Sequence, residues 1–304
     1  MKDFCCISRR GFLKKSGLIS LSPFLLPFTG KSLKPSAAKP EVYGHLWVYA
    51  SQFPPDWDST PIIEEIFQDF VYAGIEGIEI MDANLRNPSI VPLLRRLVDQ
   101  YHIPVIGASY YADMWNRDLH AKIKKDAELV ISRLGEVGGT RLGITVGDAR
   151  RLKTERELDD QAVMLREIIA LCHDHGVSPN LHNHTFEMEN DQHDFRGTIK
   201  RVPKISLGPD INWLMRAGID PVEFILEHRE NIGFLHLRDQ SDDGKWTHHL
   251  GQGVTDFEGI AKALKKIGFE GDVAIELAYE EKPDHPIRED FKKSREFVRE
   301  VFGW

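Results

Sequence analysis

Cysteine is scarce: the 304 residues carry three, too few for a disulfide framework. No polar-free run reaches the ~18 residues of a bilayer-spanning helix, which excludes a multi-span membrane protein. The glycine fingerprint of a dinucleotide-binding open sheet is missing too. Positive charge is in deficit, with 39 Lys/Arg against 47 Asp/Glu and a net charge of −8. Such a chain is a poor binder of phosphate backbones. Glycine (24) and proline (16) are too few for a repetitive fibrous chain. What remains is 41% hydrophobic, 28% charged and 10% aromatic, too apolar for disorder and sufficient to bury a core. The length suits one large domain or two ordinary ones.

The N-terminus reads differently from the rest. A basic segment ending at Lys15 precedes an apolar stretch from Leu18 to Phe28, and small residues follow at Ser36-Ala37-Ala38. These are the three parts of an export signal. The run Ser8-Arg9-Arg10-Gly11-Phe12-Leu13-Lys14 resembles the twin-arginine signal that sends folded bacterial proteins across the inner membrane. Residues 1–38 are therefore expected to be signal and linker, and 39–304 a periplasmic body with no stable membrane insertion. Residues 1–36 carry seven Lys/Arg and one Asp. Without them 32 basic and 46 acidic residues remain over 268 positions, a net charge of −14. Only Cys172 is left, so no internal disulfide can form.

One rhythm runs through that body. Short β-branched or apolar runs alternate with stretches of helical period, the pattern of a parallel sheet with crossover helices. The runs predict strands at 42–49, 76–81, 103–109, 141–146, 177–182, 205–210, 232–237 and 272–277. Helices are predicted at 60–73, 88–101, 117–137, 154–175, 194–202, 218–229, 256–267 and 287–302. In the helix at 154–175, Leu158, Ala162, Leu165, Ile169 and Cys172 form one stripe, and Thr154 with Glu157 makes a capping box. Gly74, Gly176 and Gly268 stop their helices. Eight such units in ~250 residues are what a closed (β/α)8 TIM barrel requires.

The C-terminal strand ends, where a barrel carries its active site, are polar. They include Glu79, His182-Asn183-His184 with Glu187 following, Asp210, His236 with Arg238 and Asp239, and Glu276. Side chains alternate along a strand, so His182 pairs with His184 on one face and His236 with Arg238. His182, Asp210, His236 and Glu276 from four successive strands make a mixed N/O set suited to Mn²⁺, Zn²⁺, Co²⁺ or Fe²⁺. Each residue also has a plainer explanation. A single strand histidine is more often a hydrogen-bonded core residue, and an Asp at a strand end commonly caps the next helix. Glu276 inside Val-Ala-Ile-Glu-Leu-Ala is harder to explain so, because Glu is almost never buried unpaired. Four strand ends in succession favour the metal.

These residues give the body a resemblance to the xylose isomerase-like TIM barrels. Asp210, His236 and Glu276 match three of that family's four strand-end ligands. His236-Leu237-Arg238-Asp239 matches its strand-seven pattern, and Leu250-Gly251-Gln252-Gly253 its Gly-x-Gly loop. The segment Leu181-His182-Asn183-His184-Thr185-Phe186-Glu187 is similar to a variant found in members called sugar phosphate isomerase/epimerase. The departure is His182, which stands where many relatives carry a ligating Glu. Two-glutamate proton transfer is then in doubt, because a ligating imidazole cannot easily shuttle a proton.

The resemblance implies one divalent ion (Mn, Zn, Co, Fe or Mg) that polarises a sugar carbonyl and stabilises the enediolate formed when the α-proton leaves. Glu276, Glu79, His184 and Glu187 are the acid/base candidates. Asn183, Arg238, Trp213, Tyr110 and Trp47 are expected to bind substrate, the aromatic rings by stacking on a sugar face; Trp115 is a further candidate. Asp239 is expected to orient His236 or anchor Arg238. His248 and His249 belong to a polar loop. Lys and Arg are sparse at the strand ends, which disfavours a phosphorylated substrate. The expected activity is isomerisation or epimerisation of a free or keto carbohydrate, with elimination across a 3-keto-glycoside as the alternative. An abasic-site endonuclease-like hydrolase is opposed by the acidic body, and a non-catalytic sugar-binding barrel is the remaining class. The family often packs barrel against barrel, so a homodimer is expected.

Overall fold

Eight short parallel strands are laid down in chain order in the computed structural model, which describes residues 39–281 and 283–304. They are β1 Val42–His45, β2 Ile78–Met81, β3 Val105–Tyr111, β4 Arg141–Thr145, β5 Ser178–Leu181, β6 Ser206–Leu207, β7 Phe234–Leu237 and β8 Asp272–Ile275. The sheet runs β6-β5-β4-β3-β2-β1-β8-β7. Parallel bridges from Leu207 to Ile232 and from Asp210 to His236 join its two ends. Through them Leu207 N donates to Asn231 O at 2.8 Å and His236 N to Pro209 O at 2.9 Å. The ring is thus a (β/α)8 barrel.

One main helix follows each strand: α1 Ile63–Ala73, α2 Ile90–Tyr101, α3 His120–Glu136, α4 Glu155–Asp174, α5 Thr185–Arg201, α6 Pro221–Glu227, α7 Phe257–Ile267 and α8 Ile287–Phe302. Each packs an apolar stripe on the barrel. In α1 the stripe is Ile63, Ile66, Phe67, Phe70 and Ala73, with Glu64 and Glu65 in the first turn, where the helix dipole favours negative charge. Gly74 and Gly268 close α1 and α7 in the left-handed conformation, at φ 72° and 67°. The Thr154–Glu157 capping box of α4 is formed reciprocally. No helix among the described residues is long and apolar enough to cross a membrane. The export segment expected over residues 1–38, with its cleavage site, lies outside the described residues.

The sequence pattern misplaces several boundaries. The strand expected over 42–49 stops at His45, and Trp47–Ala50 is a helical turn. His45 Nδ1 accepts the Trp47 N–H at 3.1 Å, which turns the chain out of the sheet. The strand expected over 205–210 shrinks to Ser206–Leu207, because Asp210 already caps the short helix Ile211–Arg216. A second short helix, Asp82–Arg86, follows β2. The stretch before the helix expected at 194–202 is one turn at Thr185–Met188, separated from it by non-helical backbone at Glu189–Gln192.

Alternation turns one face of every strand into the barrel. Tyr43, Phe234 and Ala274, with Ile106, form a small apolar cluster apart from the main core. Two residues further along the same strands stand His45, His236 and Glu276, one layer nearer the C-terminal mouth. The polar site therefore rests on an apolar floor.

Candidate active site

The layer above that floor is almost wholly ionisable and almost wholly buried. His45, Glu79, His182, Asp210, His236, Arg238 and Glu276 each keep under a tenth of their exposure. Above them opens a cavity of about 580 Å³ at the C-terminal mouth. Its aromatic walls are the Trp47–Trp57 pair, with ring centres 5.6 Å apart, and the Trp213–Trp246 pair at 5.0 Å.

His236 is the hub. Its Nε2 lies 2.7 Å from Glu79 Oε2, and its Nδ1 is 3.1 Å from Glu276 Oε2. Glu79 is held in turn by Ser109 Oγ at 3.2 Å, and Ser109 by His45 Nε2 at 2.7 Å. Because His45 Nδ1 accepts from a backbone N–H, its Nε2 carries the proton and donates to Ser109. Glu276 also faces His45 Nδ1 at 3.5 Å and pairs with Arg238. Arg238 spans to Asp210, with Nε 3.2 Å from Oδ2.

Charge follows this geometry. Burial alone would lower the pKa of His236, but Glu79 and Glu276 raise it to about 10. Burial acts to raise both carboxylates, yet His236 pulls Glu79 down, and Arg238, His45 and His236 hold Glu276 well below the usual range. Asp210 is pushed up to about 6 by burial, against the pull of Arg238. Burial holds His45 below the usual histidine value and His182 well below it, and His236 lowers His182 further. His182 is therefore a neutral imidazole.

Ligand atoms of His182, Asp210 and His236 lie within 4.8 Å of one another. Three of their buried atoms make no regular hydrogen bond among the described residues: His182 Nδ1, Asp210 Oδ2, which faces Arg238 Nε, and His236 Nδ1, which faces Glu276 Oε2. Buried polar atoms are rarely left so, and their presence on three residues whose ligand atoms cluster fits a cation. Asp210 plays the plainer part foreseen for it, that of a helix cap. Its Oδ1 caps the next helix through Asn212 N at 2.9 Å and Trp213 N at 3.2 Å, and its Oδ2 faces Arg238 Nε at 3.2 Å. Glu276 stands beside this group rather than in it, drawn aside by Arg238.

Other expected residues lie elsewhere. Asn183 points out of the barrel and clips β5 to β6, accepting from Asp210 N at 3.2 Å and donating to Asp210 O at 3.4 Å. Tyr110 does line the cavity, but its buried side chain sends its hydroxyl toward α3, 3.1 Å from Asp126 Oδ2. Its neighbours Ser109 and Tyr111 line the cavity as well. Glu187 is buried as the third residue of a capping box and accepts from His184 N at 2.6 Å. Burial, with Asp194 nearby, raises its pKa well above normal. Asp239 neither orients His236 nor anchors Arg238. Its carboxylate takes the backbone N–H groups of Gly251 and Gly253 at 2.9 and 2.8 Å, building the Gly-x-Gly loop. Trp115 is not among the cavity-lining residues.

His184, Trp47 and Trp213 do line the cavity. His184 stacks on Phe186 at 5.7 Å and sits 5.4 Å from the Trp213 ring. Burial lowers its pKa to about 4, against the opposing pull of the Glu276 carboxylate. Missed in the sequence were His45 and Ser109, which end strands as the others do, and Trp57, Tyr111 and Trp246, which lie at a strand end or in loops without periodic signal. Arg86 lines the cavity as well, but it is paired with Asp82 at 2.9 Å and Asp126 at 2.8 Å. Arg238 is likewise paired twice, so neither guanidinium is free for a phosphate.

Barrel, strand-end carboxylates and buried histidines define a class. The chain belongs to the xylose isomerase-like TIM barrel family, whose pattern matches residues 67–301. An inosose dehydratase of Lacticaseibacillus casei is 22% identical over 274 residues, covering 79% of this chain and 90% of that protein. The solved structure of D-allulose 3-epimerase from Methylomonas sp. superposes with a TM-score of 0.72 at 18% identity, over 86% of this chain and 98% of that one. That of 3-keto-D-glucoside 4-epimerase from E. coli gives 0.66 at 17%, over 86% and 100%.

Proposed function

We propose that the protein is a divalent-metal-dependent isomerase or epimerase of a free or keto carbohydrate. The observation that carries this reading is the clustering of the ligand atoms of His182, Asp210 and His236, all buried, beneath an aromatic-walled cavity. These three would hold the ion, with Glu276 as the fourth candidate, and the ion would polarise the substrate carbonyl.

The chain's own groups do the rest. Glu79 and Glu276 approach His236 at its two ring nitrogens, so two carboxylates border the place where an α-proton must be removed and returned. His45 and Ser109 hold Glu79 in position. Arg238 keeps Glu276 ionised, and the two tryptophan pairs offer faces for a sugar ring. The doubly paired arginines favour an unphosphorylated substrate, as would the export expected from the N-terminal sequence.

Elimination from a keto sugar is the second reading, favoured by His182 in place of a carboxylate. Incubating the metal-loaded enzyme in D₂O with ketoses and with 3-keto-glycosides, followed by NMR, separates the two. Deuterium at the carbon next to the carbonyl with an intact skeleton supports isomerisation or epimerisation. Loss of a substituent supports elimination, and no exchange with any such substrate rejects both.

A further inference from the structure

Outside the active site, a second group of ligating side chains comes together between two mouth loops. His248 lies in the β7–α7 loop, His285 in the β8–α8 loop, and Asp290 in the first turn of α8. Their ligand atoms lie within 4.8 Å of one another. None of the three lines the cavity.

We propose that His248, His285 and Asp290 form a second divalent-cation site, structural in role and of the zinc class. Two imidazoles and a carboxylate are donors that Zn²⁺ and its neighbours accept, with a position left for water. Asp290 is fully buried, and its Oδ1 has no hydrogen-bond partner among the described residues. Its Oδ2 is already oriented, receiving the Tyr279 hydroxyl at 2.8 Å and standing 2.8 Å from His285 Nε2. On the far side of that ring, His285 Nδ1 is 3.3 Å from Asp284 Oδ1. A carboxylate behind a ligating imidazole is the usual support of such a site. His248 makes no side-chain hydrogen bond to a described residue. Its ring only rests against Tyr279 and His285, at 5.3 and 5.5 Å.

The site would tie together loops that already meet near the cavity. Trp246, two residues before His248, donates its backbone N–H to Glu280 Oε1 at 3.1 Å, and its ring walls the cavity. A cation on His248, His285 and Asp290 would brace that wall. The alternative is a hydrogen-bonded knot with no ion.

Zinc titration of the full chain against a chromophoric chelator, on wild type, H248A, H285Q, D210N and the D210N/H285Q pair, decides between them. The expected result is two equivalents in wild type, one in H248A, H285Q and D210N, and none in the pair. Zinc should also raise the melting temperature of D210N but not of the pair. Unchanged stoichiometry in both H248A and H285Q overturns the proposal. If H285Q does not fold, H248A decides alone, since its imidazole holds nothing else in place. Loss of an equivalent in H248A but not in D210N would uphold this site while rejecting the active-site metal.

Discussion

Glu79 on β2 and His236 on β7 meet at 2.7 Å across the barrel interior, although β1 and β8 separate their strands in the sheet. With Glu276 at the other ring nitrogen, the imidazole of the ion-free protein is an imidazolium clasped by two carboxylates. A cation bound at His236 replaces that proton.

Cation binding is therefore expected to release protons and to strengthen as pH rises. His236, raised to about 10, must lose its proton at neutral pH, and Asp210, raised to about 6, adds to the competition in acid. Zinc titration in weakly buffered solution with a pH indicator should show release at pH 7. Release of no proton would exclude His236 as a ligand. For the ion-free protein the sign follows from the same shift. A proton held more tightly folded than unfolded stabilises fully below the unfolded value of 6.5, and that stabilisation is lost as pH rises toward 10. Urea midpoints of chelator-treated protein should fall across that window.

Glu79→Gln keeps the shape of the side chain and removes its basicity. Loss of a positioned acid/base group costs on the order of 10²–10⁴ in rate. The variant should lose activity in that range and still bind the ion, whereas Asp210→Asn should lose the ion. Steady-state kinetics beside metal stoichiometry measures both. Full activity in Glu79→Gln would remove it from the proton-transfer pair.

Glu187 belongs to a helix cap, and burial raises the pKa of its carboxyl well above the usual value. Glu187→Gln, which retains the acceptor, should leave both turnover and stability nearly unchanged. Glu187→Ala should cost about 1–2 kcal/mol through the lost cap, with kcat preserved. Urea unfolding with kinetics on both variants checks this, and a large fall in kcat for Glu187→Gln would return the residue to the chemistry.

Lys153 is buried with its Nζ 2.5 Å from Asp194 Oδ2, 2.7 Å from Gln161 Oε1 and 2.6 Å from Gly147 O. Lys153→Met leaves the Asp194 carboxylate buried without its cation, a loss of about 3–5 kcal/mol. Adding Asp194→Leu should recover part of it. A double-mutant cycle by denaturant unfolding measures the coupling, and additive single effects would refute it.

The eight βα units, their helix stops and the polar strand ends are legible in the sequence because each is a local pattern. Apolar period, capping residues and glycines state their consequences within a few positions. The same locality groups His182, Asp210, His236 and Glu276, since each stands at the C-terminal end of its own apolar run. Facing is less legible. Asn183 stands one residue from inward positions, and a single step along a strand reverses the face. His45 is hidden because the apolar run continues in sequence through Trp47-Val48-Tyr49, where the chain turns into a helix instead.

By itself the sequence determined the barrel and the kind of chemistry its mouth can hold, since both rest on short-range periodicity and residue type. Tertiary structure alone decided the pairings. Glu79 found His236 from 157 residues away, Arg238 took Asp210 and Glu276, and Asp239 went to the Gly251–Gly253 loop. Such contacts depend on strand register, barrel closure and the need of each buried charge for a partner, which no stretch of neighbouring residues records.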